Sequence, residues 1–450
     1  MHKKVASSLI GMMSLYGWMN ADPVFAENPS PPYSSYAHDQ AARSFGPPAW
    51  QQYRMNPTNN AVFANQNEDA IKQKYLTNNE VRGNPVIVED TLYIGNHGTG
   101  DVFSFAIKNG QRNWKSSVPN WIHGDTIYAE GRLYIGYGNR NFTDLQEQKI
   151  RGTKESGVVS LDAKTGKTIW QYKTKGEVMP TPVYDKGSVY IATGDNKLYS
   201  LDAATGSMQW SLDLPGWVSM SSPVLKDGML YVGSLDTLVA VDVEERKIKW
   251  AKEQLGTVTD VPPAISENNV VVITGTKKVN DPLNPSFLLT EEERKQYGTA
   301  AANYHFIYAF DASTGTLLWK DLLGTGPNQS RPFPLTNTSG APAIAGDYAF
   351  VGSPYTKSFF AYHLPSGKKV WEYKTEAGIK GAPAIKDGLV YAGDTKGTLY
   401  ILRAKDGSLV NKHKIGGALS PGGPVIMNNT LFIGSQDGYV YAKPIAELLP

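Results

Sequence analysis

Polar and apolar residues alternate in short runs along most of this chain, and the runs recur in a fixed order. TPVYDKGSVYIATGD (181–195), SPVLKDGMLYVGSLD (222–236) and APAIKDGLVYAGDTK (382–396) each set two runs rich in Val, Ile and Tyr around a turn ending in glycine. A second unit follows: LYSLDAATGSMQW (198–210) is echoed by VVSLDAKTGKTIW (158–170), IYAFDASTGTLLW (307–319) and FFAYHLPSGKKVW (359–371). Alternation with a period of two is the signature of half-buried strands. Asp-Gly and Thr-Gly supply the positive φ angles that tight turns require. Together the two units predict four antiparallel strands, joined by short turns.

Trp170, Trp210 and Trp250 close this motif 40 residues apart, and Trp114, Trp319 and Trp371 close it at longer spacings. Four strands in about 40 residues is the repeat of a propeller blade. Eight units can be traced, with inner strands beginning near Asn84, Asp125, Thr181, Ser222, Pro262, Ala341, Ala382 and Gly423. The expectation is an all-β, eight-bladed propeller of four-stranded antiparallel blades over residues 50–446. The last unit stops after three strands, at GYVYAKP (438–444), and AIKQKYLT (70–77) supplies the missing outer strand. An N-terminal strand would then close the ring and leave no open seam. On this reading the six tryptophans are structural, each filling the wedge between neighbouring blades. Asn411 and Gln73 stand where two further tryptophans are expected.

Composition narrows the function. Lys and Arg number 44 against 42 Asp and Glu, so there is no electrostatic footprint for nucleic acid. Cysteine is absent, which excludes disulfides, thiolate nucleophiles and thiolate metal sites. The N-terminus has the form of an export signal: MHKK, a moderately apolar run, and a small-residue cleavage pattern ending at Ala26. Residues 27–49, biased towards Pro, Ser and Ala, read as a disordered tether. The apolar run is too short and interrupted for a membrane span. A secreted or periplasmic monomer is expected.

Function is sought where the repeat is broken. Three insertions stand out, at 137–156, 274–305 and 321–340. The first two join the second and third strands of blades 2 and 5, and the third joins blade 5 to blade 6. In a four-stranded meander these connections emerge on one face, so the insertions crowd one mouth of the ring. Within the second, TEEERKQYG predicts a short helix with Thr290 as cap, Glu293 completing a capping box and Gly298 at the end. Its acidic run, Glu291–Glu293, reads as a solvated helix start.

Three residues before the strand proline or its equivalent, the blades carry Arg82, His123, Met179, Met220, Asp260, Ser339, Lys380 and Pro421. One acid among several bases at the channel entrance suits an anion-binding ring. Asp260 is also the candidate general base, with Arg82 or Lys380 stabilising a developing oxyanion. Trp121 and Trp217 lie in blade connections on the same face, as flat surfaces for a ligand or partner. Asn328 and Arg331, in the third insertion, complete the binding-face candidates. No phosphate loop, HExxH, EF-hand or G-x-S-x-G pattern occurs, and no spacing assigns a metal site.

The repeat DA-x-TG-x-x-x-W after SP-V-x-DG-x-[LV]-Y-x-G resembles the PQQ-like, quinoprotein-type β-propeller family over roughly residues 50–445, and WQQYRMNPTNN (50–60) looks like the opening segment often seen ahead of such propellers. The resemblance implies one of two functions. One branch holds pyrroloquinoline quinone and Ca²⁺ at the propeller mouth and oxidises alcohols or sugars. For it Asp260, Asn328 and Asn141 are the calcium-ligand candidates. The other branch, which includes the propeller lipoprotein of the outer-membrane barrel-assembly machinery, binds without a cofactor. This chain lacks both the adjacent cysteines frequent in the first and the lipidated cysteine of the second. The expectation is a non-catalytic scaffold, without cofactor, engaging a protein or surface ligand through the insertion-bearing face. A quinone- and calcium-dependent dehydrogenase is the alternative.

Overall fold

The computed structural model describes residues 50–450 apart from 66–68, 140–153, 283 and 328–339. The strands form eight sheets, seven of four strands and one of five. Blade 3 shows the plan: Val183–Asp185, Ser188–Ala192, Lys197–Asp202 and Met208–Asp213 run antiparallel in sequence order. The middle strands are buried almost throughout, and the outer strand alternates towards solvent. In the eighth blade Gln73–Leu76 pairs antiparallel with Tyr439–Pro444, so the ring is closed by an N-terminal strand. This blade has a fifth strand, Val62–Phe63, which lies parallel to the innermost strand, Val425–Met427.

The repeated tryptophan does two jobs at once. Its ring packs on the turn glycine of the following blade, and its indole N–H donates to the carbonyl of the residue that opens that turn. Trp170 bonds Ala203 O at 2.9 Å, Trp250 bonds Ala312 O at 2.9 Å and Trp371 bonds Ala404 O at 2.8 Å. Trp114 and Trp319 bond Ala163 O and Leu364 O in the same way. A Cβ on Gly367 (φ 66°) would stand 2.5 Å from Trp319 Cγ. Trp210 faces blade 4, whose turn holds Arg246 at φ 56° where other blades have glycine. At the two positions without tryptophan, Gln73 packs on Gly110, and Asn411 donates to Leu448 O.

The opening segment is the axle of the wheel. From Trp50 to Phe63 it circles the channel and meets the inner strand of every blade. Trp50 Nε1 donates to Ile87 O in blade 1. The N–H groups of Tyr128, Tyr184, Ile265, Ile344 and Ile426 donate to the carbonyls of Trp50, Gln51, Pro57, Thr58 and Ala61. Those of Leu225 and Ile385 donate to the side-chain oxygens of Gln52 and Asn60. Arg54, wholly buried, sends its guanidinium to Asn84 Oδ1 and to the carbonyls of Pro383 and Pro424. Asn59 donates to the carbonyls of Pro263 and Pro342. An inner strand would otherwise present unpaired backbone groups to the channel.

The helix of the second insertion is present, Glu291–Tyr297, with the reciprocal Thr290–Glu293 capping box. Its acidic start is not uniformly solvated. Glu291 and Glu292 are exposed, but Glu293 is buried between Lys277 (2.8 Å) and Lys320 (3.2 Å). The second insertion is also less of a loop than its sequence suggests, since its flanks continue the strands Val270–Lys278 and Asn303–Asp311.

Two outcomes follow. Arg54→Met leaves buried oxygens without their donor and lowers unfolding free energy by about 3–5 kcal/mol, read from urea unfolding curves. Gly367→Ala adds a clash with Trp319 to its backbone strain and costs about 2–3 kcal/mol, whereas Gly388→Ala, with open space around it, carries strain alone and costs about 1 kcal/mol.

Candidate functional site at the channel mouth

Because residues 50–63 fill the axis, the other end of the channel is a blind pocket. Its floor is polar on one side. Asn84, Asp125, Thr181 and Ser222, each just before the strand proline or its equivalent, form a hydrogen-bonded arc across blades 1 to 4. Asn84 N donates to Asp125 Oδ1 (2.7 Å), Asp125 N to Thr181 Oγ1 (2.8 Å) and Thr181 N to Ser222 Oγ (3.0 Å). Gly423 N donates to Asn84 Oδ1 at 2.7 Å and extends the arc to blade 8. Pro262 and Ala341 make the other side of the floor apolar. Tyr53 of the axial segment also lines it. Burial raises the Asp125 carboxyl above the usual carboxylate range, against hydrogen bonds from Asn84 and the charge of Arg54.

Above the floor stands the level picked out by the sequence. Arg82, His123, Met179, Met220, Asp260, Lys380 and Pro421 all line the pocket. Ser339 lies outside the described residues, as do Asn141, Asn328 and Arg331. Going round the ring, Lys380 and Arg82 flank blade 8, His123 and the two methionines follow on blades 2 to 4, and Asp260 stands on blade 5. Burial, with Arg82 adding to it, pulls the Lys380 ammonium down to about 8, and the opposing charge of Asp260 limits the fall. Arg82 is held by Glu80, at 2.9 Å from Nη2 and 3.1 Å from Nε.

Beside this ring sits a cluster that the repeat register does not mark. His97 lies 3.7 Å from Glu80 through Nδ1, and its ring centre is 4.5 Å from both Trp121 and His123. His123 is 8% exposed, and neither ring nitrogen has a hydrogen-bond partner among the described residues. Burial, helped by the charge of Arg82, pushes His123 down to about 3, so the ring is neutral at ordinary pH. Burial and the neighbouring His123 and Arg82 also push His97 well below the usual histidine range. Trp121 thus packs against histidine beside the pocket rather than lining it. Trp217 is likewise outside the lining, and its carbonyl accepts from Leu235 N and Thr259 Oγ1. Glu80, His97 and Tyr53 were not singled out from sequence. The floor arc could have been found by reading the register two residues nearer the proline.

The described stems of the insertions rise on this same face. Gly138 N, at the base of the first, donates to Trp121 O in the blade connection, and Thr276 N, in the second, exchanges hydrogen bonds with Thr257.

Of the calcium-ligand candidates, Asp260 lines the pocket, and Asn141 and Asn328 lie outside the described residues; Asp125 on the floor is committed to Asn84 and Arg54. The set suits a small anion with an acid–base group beside it.

Such an architecture, eight four-stranded blades locked by turn glycines and tryptophans, is a PQQ-like β-propeller. The chain belongs to the family whose model is described as outer membrane protein assembly factor BamB, which matches residues 154–286 and 303–446. It is 25% identical over 509 aligned positions to the tetrathionate hydrolase of Acidithiobacillus ferrooxidans, covering 99% of this chain and 97% of that one. It is also 25% identical over 361 positions to BamB of Burkholderia pseudomallei, covering 79% and 82%. Among solved structures, BamB from Moraxella catarrhalis superposes with a TM-score of 0.59 at 17% identity, covering 82% of this chain and 98% of that one. The quinohemoprotein alcohol dehydrogenase from Comamonas testosteroni gives 0.60 at 13%, covering 88% and 80%. These two structures share the fold. The relatives include both enzymes and a scaffold.

Anion binding in the pocket is expected to depend on pH through Lys380. Its charge is present below about 8 and lost above it, so sulfate or thiosulfate binding, followed by calorimetry, weakens as pH rises from 7 to 9. Lys380→Met is expected to remove that dependence.

Proposed function

We propose that this chain is an exported hydrolase of small sulfur-containing dianions, of which tetrathionate is the first to test. The observation that carries the reading is the charge pattern of a blind pocket: two cations, Arg82 and Lys380, at one side and a single rim carboxylate, Asp260, at another. Two cations bind the two charged ends of a small dianion, and burial strengthens the attraction by excluding water. Asp260 takes a proton from the attacking water as its oxygen bonds to a sulfonate sulfur, the adjacent S–S bond breaks to release sulfate and a disulfane monosulfonate, and Arg82 and Lys380 carry the charge that develops on that leaving group. The match to the tetrathionate hydrolase spans nearly the whole of both chains, which favours an enzyme over the shorter match to the assembly factor. Residues 1–26 are read as the cleaved export signal and 27–49 as a tether.

The scaffold reading retains one support. The family model that matches most of the blades is that of an assembly factor. In that case a protein or surface ligand would dock on the rim, and the pocket chemistry would be idle.

Incubation of the purified chain with tetrathionate, with its loss followed by ion chromatography, decides between them. Turnover above the uncatalysed rate, falling about 100-fold or more in Asp260→Asn with the melting temperature unchanged, is the expected result. No turnover between pH 3 and pH 8 would remove the hydrolase reading.

A further inference from the structure

The mouth pocket has a side that the charge pattern does not use. His123, Met179 and Met220 occupy the same register on three consecutive blades, 2, 3 and 4, and all three line the pocket. His123 and Met179 are almost wholly buried, at 8% and 4% exposure. His123 offers a neutral imidazole with an unpartnered lone pair, and neither of its ring nitrogens is engaged by any described residue. A buried polar atom without a partner has a cost, and its persistence in a pocket points to a ligand. Two thioethers and one neutral imidazole that line the same pocket form a soft donor set. Soft sulfur ligands select monovalent copper among the biological metals, whereas oxygen donors suit magnesium and calcium.

We propose that His123, Met179 and Met220 form a binding site for a soft monovalent metal ion, Cu(I) or its analogue Ag(I). Arg82, whose charge acts on His123, is paired with Glu80 at 2.9 Å, which offsets part of that charge. Asp260, on the blade after Met220, adds a carboxylate to the same pocket. The chain has no cysteine, so no thiolate competes for the ion. The site goes beyond the hydrolase reading and does not depend on it, since metal binding is read without any substrate.

The test uses the purified chain with Ag(I), and with Cu(I) kept reduced by ascorbate, in competition with a chromophoric Cu(I) chelator. One equivalent of Cu(I) withdrawn from the chelator is expected, with no comparable binding of Zn(II). Met179→Leu and Met220→Leu nearly conserve volume, and each is expected to weaken binding at least tenfold. The double variant is expected to abolish it, while Met208→Leu, on an exposed outer strand, leaves it unchanged. No Cu(I) withdrawn from the chelator would overturn the proposal. So would binding that survives in the double variant, or Zn(II) held equally well. Near-ultraviolet circular dichroism of each variant separates loss of the site from loss of the fold.

Discussion

The guanidinium of Arg54 ties together parts of the chain that are far apart in sequence. It reaches Asn84 in blade 1 and the proline carbonyls of blades 7 and 8, and its own backbone N–H points to Asp125 in blade 2. A buried arginine is tolerated only where its donors are met by oxygens; here Nε donates to Asn59 O of the axial segment itself, and the other partners belong to different blades. Burial lowers its pKa, with Asp125 among the charges that oppose the fall. Asn59 performs the same service for blades 5 and 6. The strand prolines begin the inner strands and have no N–H of their own, so their carbonyls face the axis. The axial segment satisfies them. The blind pocket, the level of its rim and the spacing of its charges all rest on that arrangement.

Inner and outer contacts divide the work of holding the ring. At the rim, each tryptophan uses the absence of a Cβ on the next blade's turn glycine to bring indole against backbone. At the axis, hydrogen bonds to the axial segment add to apolar burial, since Trp50 packs in one cluster with Val86, Ile87, Val425 and Met427 of the inner strands. The floor arc of Asn84, Asp125, Thr181 and Ser222 is the same device one level higher, with side-chain oxygens bridging neighbouring blades. It stops at blade 5 because Pro262 and Ala341 have no oxygen to offer. The floor of the pocket is therefore polar towards blades 1 to 4 and apolar towards blades 5 and 6.

Much of this was legible in the sequence because a repeat averages out local ambiguity. The number of blades, the closing strand at Gln73–Leu76 and the tryptophan wedges all follow from self-similarity, which needs no knowledge of distant contacts. Reading one register position across all eight units likewise brought Arg82, His123, Asp260 and Lys380 to one pocket. What repetition cannot reveal lies outside it. Glu80 and His97 reach the site through contacts to Arg82 and His123 that no period marks. WQQYRMNPTNN could be recognised as an opening segment, but its course round the axis depends on partners over 300 residues away. Glu293 looked like one of three solvent-facing acids, and its burial follows from Lys277 and Lys320 on strands that the sequence reading treated partly as loop. Trp121 and Trp217 were correctly placed in blade connections, yet neither lines the pocket.

The axial segment also fixes an order of events. Residues 54 and 424, 370 positions apart, must meet at the centre of the ring. A ribosome completes the axle long before the last blade exists, and the early segment has to wait unpaired while its eight partners are made. Loop closure over such a span is slow. Until it happens, the inner strands have edges open to any passing chain. A protein built this way gains from being kept unfolded until it is whole, so that its wheel assembles around its axle in one cooperative event.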